Sequence, residues 1–127
     1  MRTGSGESGF SLVEILIAMT ILSIGLLGMA ALTVGIIQGN EQSQEVTTAS
    51  TLAADRLEDA ARQGYTGLPT TNTVQTENYG SIAGFPNYKR ETTITVDSPI
   101  VNVKTLVVRV FWNNNARSVS MNTMITR

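Results

Sequence analysis

From Phe10 to Ile37 the chain is apolar apart from scattered Ser, Thr and Gly, and Glu14 is the only charge in that stretch. A helix crosses a bilayer in about 20 residues, so residues 10–37 predict a membrane-spanning helix. The apolar core of a secretory signal peptide runs to only roughly 7–15 residues, and this segment exceeds it. A signal cleaved near Ala30-Ala31 and a plain uncleaved anchor stay open as alternatives. Neither gives Glu14 a reason to be there.

From Gln38 the composition turns polar while helical spacing continues. Val46, Ala49, Ala53, Leu57 and Ala60 recur three and four residues apart, so one face stays apolar. Residues 38–63 therefore predict an amphipathic continuation of the same helix, with Gly39 the place for a kink and Gly64 its stop. Glu41, Glu45, Asp55 and Glu58 are expected to face water.

Residues 64–87 are rich in Gly, Thr, Asn and Pro without a sustained period and read as a helix-to-sheet loop. Tyr65, Leu68, Tyr79, Ile82 and Phe85 are expected to pin that loop to the domain as core plugs. From Tyr88 the period becomes two: Ile94 and Val96 alternate with Thr93 and Thr95, and Asp97-Ser98-Pro99 breaks the strand. Residues 101–112 are the strongest strand, with Leu106, Val108, Val110 and Trp112 on one face and Lys104 beside them. Asn113-Asn114-Asn115 suits a turn because Asn tolerates positive φ, after which Val119, Met121, Thr123 and Ile125 alternate. Residues 88–127 thus predict an antiparallel meander of about three strands. Such a sheet needs the upper helix across its apolar face, and the fold class is α+β.

Composition narrows the function. With 127 residues and a long apolar block, only one small soluble domain remains. Nine Lys and Arg stand against ten Asp and Glu without a basic patch, which argues against nucleic acid as a partner. There is no Cys and no His, which removes disulfides, thiol nucleophiles, imidazole bases and the usual zinc ligands. Glu77, Glu91 and Asp97 show no spacing of a paired acid site, and no phosphate loop or calcium loop is present. The expectation is a non-enzyme without cofactor or metal.

Arg2 and the N-terminal amine precede the span, Glu7 partly offsets them, and no Lys or Arg follows until Arg56. The cation rule places the C-terminal domain outside the cytoplasm. Glu14 needs a partner or water, because a lone carboxylate in hydrocarbon is costly.

Gly9-Phe10-Ser11-Leu12-Val13-Glu14, followed by an apolar helix, resembles the processing site of type IV prepilins. The resemblance implies that residues 1–9 are a leader removed by a prepilin peptidase, that the same enzyme methylates the new amino terminus at Phe10, and that Glu14 pairs with the N-terminal ammonium of a neighbouring subunit. It also implies a pilin-like fold, a single-pass inner-membrane protein with its head in the periplasm, and later a place in a surface pilus or periplasmic pseudopilus. The implied partners are other pilin subunits, major and minor, and the pilus assembly platform.

Gly25-Leu26-Leu27-Gly28-Met29-Ala30-Ala31-Leu32 resembles PilV-type minor pilins, so the reading is a minor pilin. The chain departs from the family habit at Glu7-Ser8-Gly9, which lacks a basic residue before the glycine. It has no proline before Pro69 and no Cys pair. A type II secretion pseudopilin is the sibling alternative. A monomeric membrane-anchored adhesin or receptor is the alternative from another class.

Overall fold

The computed structural model describes residues 9–127, so Arg2, Glu7 and all of the expected leader except Gly9 lie outside the described residues. Helix α1 spans Leu12–Gly67, and it is followed by β1 (Thr73–Glu77), β2 (Tyr88–Val96), β3 (Val103–Trp112) and β4 (Arg117–Thr126). The contacts divide the chain into two units, residues up to Glu41 and residues Gln42–Arg127.

In the first unit every described residue is exposed. Three hydroxyls in this apolar stretch close on their own helix: Thr20 Oγ1 donates to the Leu16 carbonyl at 2.8 Å, Ser23 Oγ to Met19 at 2.7 Å and Thr33 Oγ1 to Met29 at 3.0 Å. That bond to the carbonyl one turn back satisfies the hydroxyl within the helix itself.

The second unit is a four-stranded antiparallel sheet in the order β1-β2-β3-β4, with the upper part of α1 packed on one face. β3 supplies the middle of the core: Leu106, Val108 and Val110 are fully buried and Trp112 nearly so. Val108, Val110 and Trp112 meet Ala49, Leu52 and Ala53 of the helix, with Leu57 beside them and Ile82 folded in from the β1–β2 connection. A second cluster joins Ala60, Leu68, Ile94 and Leu106. Alanines at the crossing let helix and sheet approach, while each fully buried Leu, Ile or Val contributes about 1.5–3 kcal/mol.

The helix stripe differs from expectation at one step. Val46 is exposed and Leu52 carries the contact, because the sheet meets the face centred on Ala49, Ala53 and Ala60. The backbone leaves helical geometry at Gly64 (φ 64°), the expected stop, while Gly39 lies within helical backbone.

The sheet has four strands where about three were expected, and β1 lies inside the segment read as loop. Its alternation is inverted, which explains the miss. Thr73, Gln75 and Glu77 share the register positions of the inward-facing Ile94, Thr92 and Arg90, whereas Val74 points out and is 63% exposed. Polar bonds hold β1 instead of apolar burial. Arg90 grips Glu77 with two nitrogens, at 2.6 and 2.8 Å, and reaches the Leu52 carbonyl of the helix at 2.9 Å. Arg56 donates to Gln75 at 2.5 Å.

The Arg90 guanidinium holds the Glu77 carboxyl below its usual value of 4.5. The unfolded chain therefore takes up the proton first as pH falls. The stabilisation is present above the usual value and is lost as pH drops through the lowered one. We expect the acid limb of the head's thermal stability, scanned by calorimetry from about pH 6 to pH 2, to be shallower in Glu77→Gln. Equal acid limbs would refute this role for the pair.

The turns follow the sequence closely. Asp97 adopts φ 54° and its carboxylate accepts the Asn102 amide at 3.0 Å. Asn113, Asn114 and Asn115 all adopt left-handed φ between 51° and 66°, the conformation that Asn reaches at lower cost than other side-chain-bearing residues.

Candidate functional site

Gly9, Phe10 and Ser11 precede the helix and are exposed. Ser11 is the N-cap. Its carbonyl receives the Glu14 and Ile15 amides at 3.0 and 3.2 Å, and its Oγ accepts the Glu14 amide at 3.2 Å. Such a cap satisfies donors that have no partner inside the helix. The Ser-x-x-Glu spacing is a capping signal readable in the sequence.

Glu14 stands in the first turn, where the aligned peptide dipoles favour a negative charge. Among the described residues it forms no ion pair, since all five ion pairs there involve other carboxylates. Phe10, Glu14, Ala18 and Leu22 follow at four-residue spacing. Because Ala18 is small, they edge a shallow hollow of about 480 Å³ together with Ile15 and Met19. One face of the helix thus presents the chain before the cap, an unanswered carboxylate and an apolar hollow between bulkier side chains.

Residues 4–30 match the family model of the prokaryotic N-terminal methylation motif. The N-terminal segment is type IV prepilin-like. No curated protein and no solved structure is matched by the chain.

For a prepilin-like chain the motif implies processing by a prepilin peptidase and assembly with other pilins at the membrane. The motif family is structural rather than catalytic. The helix that carries the motif is long and apolar enough to cross a bilayer, which fits single-pass anchoring in the inner membrane. The head has the pilin-like architecture of a long N-terminal helix packed on an antiparallel sheet.

The acids weighed as catalytic candidates hold the fold together. Glu77 pairs with Arg90, Glu91 with Lys89 at 2.6 Å, and Asp97 closes its turn. On the exposed helix face Arg62 bonds both Glu58 and Asp59, and its guanidinium lowers the Asp59 carboxyl below the usual range.

Two residues matter more than the sequence suggested. Glu45, expected in water, is partly buried and accepts the Trp112 indole N–H at 3.0 Å. Lys104 is 2% exposed, and its ammonium donates to the carbonyls of Tyr65 at 2.7 Å and Leu68 at 3.0 Å, with the Tyr65 ring centroid 4.3 Å away. The last turn of α1 contains no basic residue. The cation that favours a helix C-terminus arrives from the sheet, and only the β3 alternation hinted that Lys104 points inward.

Proposed function

We propose that the chain is a minor pilin of a type IV pilus. It is made as a prepilin, held in the inner membrane with its head in the periplasm, cut between Gly9 and Phe10, N-methylated at Phe10, and assembled through helix bundling. Residues 1–9 act as leader, residues 10–37 as the membrane and assembly half of the helix, and residues 38–127 as amphipathic helix, connection and sheet head.

The observation that carries this reading is the exposed Gly9-Phe10 bond beside a capped helix whose first turn holds Glu14 without an ion partner among the described residues. A new ammonium at Phe10 on one subunit and Glu14 on the next are each costly alone in lipid. Together they become tolerable, and pairing across subunits fixes axial register.

Mass spectrometry of the protein extracted from membranes of peptidase-positive cells tests the processing. The expected N-terminus is Phe10 carrying one methyl group. An intact Met1 would refute the reading.

A further inference from the structure

At the end of the sheet where β2 begins and β3 ends, the head carries a cleft of about 600 Å³, within the size range of small-ligand sites. Tyr79, Tyr88 and Trp112 give it an aromatic lining, and Asn87, Asn113 and Asn114 line it as well. Glu45 supplies the only charge in the lining.

The protein's own bonds leave these groups partly unspent. The hydroxyl of Tyr88 donates to the Glu45 carbonyl at 3.4 Å, and that of Tyr79 donates to Asn115 Oδ1 at 3.1 Å while accepting the Asn115 amide at 3.0 Å. The rings are fixed by their oxygens. Glu45 Oε2 takes the Trp112 N–H at 3.0 Å, with Arg117 at 3.8 Å, while Oε1 accepts no bond among the described residues. The side-chain amides of Asn87, Asn113 and Asn114 likewise have no partner among the described residues.

The support is built rather than loose. The connection between β1 and β2 is laced by backbone bonds from Gly80 to Pro86, Ser81 to Asn78, Phe85 to Ile82 and Tyr88 to Phe85. Tyr79 ties it to the Asn113-Asn114-Asn115 turn, whose three residues all sit at positive φ. Glycine would meet that backbone requirement with less strain.

We propose that this cleft binds a neutral saccharide. A pyranose offers an apolar C–H face to an aromatic ring, and hydroxyls that both donate and accept. Three amides with both capacities and a carboxylate that only accepts complement those hydroxyls. The lining contains no Lys or Arg and carries the Glu45 carboxylate, so an anionic sugar or a phosphate is disfavoured there. This inference does not depend on the filament role proposed above.

The test is saturation-transfer NMR on the full chain in a zwitterionic detergent without a sugar headgroup, with free glucose, galactose, mannose and N-acetylglucosamine as separate probes. At least one sugar is expected to receive saturation. Its transfer should fall about fivefold, the scale of one lost hydrogen bond, in Asn113→Gly/Asn114→Gly, a variant that suits the left-handed backbone and should unfold no earlier than the parent. Glu45→Gln keeps an acceptor for the Trp112 N–H and should weaken transfer as well. Absence of transfer to all four sugars, or transfer unchanged in both variants, would overturn the proposal.

Discussion

Lys104→Ala is expected to be among the most damaging single substitutions in the head, costing about 3–5 kcal/mol. Two contributions add. Removing the buried stem leaves a cavity between β3 and the helix end, and removing the ammonium strands the Tyr65 and Leu68 carbonyls it now satisfies. For a unit the size of residues Gln42–Arg127, this lowers the unfolding midpoint by on the order of 20 °C. Calorimetry of the full chain in micelles reads that shift directly. Lys104→Met separates the two contributions, since it refills the volume but donates nothing. It should still cost about 2 kcal/mol. A methionine variant as stable as the parent would show that Lys104 contributes packing alone.

The second large effect is expected at Glu14. Under the proposed assembly, Glu14→Ala leaves an ammonium unpaired among apolar helices, a loss in the range of about 3–5 kcal/mol for a broken buried pair. Each 1.4 kcal/mol is about tenfold in an equilibrium. Incorporation into sheared filaments should therefore fall at least about tenfold, while the amount in the membrane and the cut at Gly9 stay unchanged. Glu14→Asp keeps the charge on a shorter stem and should recover part of the loss. Normal incorporation of Glu14→Ala would refute the charge-pair mechanism.

How far the sequence revealed this molecule depends on which force holds each element. β3 was legible because Leu106, Val108, Val110 and Trp112 alternate into the core, and the three consecutive asparagines announced the turn after it. β1 was not legible because its inward positions are polar and its one valine faces out. Arg90 and Arg56 hold it, from partners far along the chain. Glu45 was misread for a similar reason, since a carboxylate on a polar helix face gives no sign of an indole waiting across the sheet. At the N-terminus the reverse holds. Gly9, Phe10 and Glu14 were legible as a contiguous motif, and the structure adds the Ser11 cap and the bare surface around them.

Trp112 is the chain's only tryptophan, it is 3% exposed, and its N–H is bound to Glu45 beside the cleft. All three tyrosines also lie in the head, and the apolar segment contains Phe10 as its only aromatic residue. The membrane half is therefore optically silent when indole is excited selectively. Emission from the intact chain in lipid reports one location, the buried wall of the cleft, and requires no label to do so.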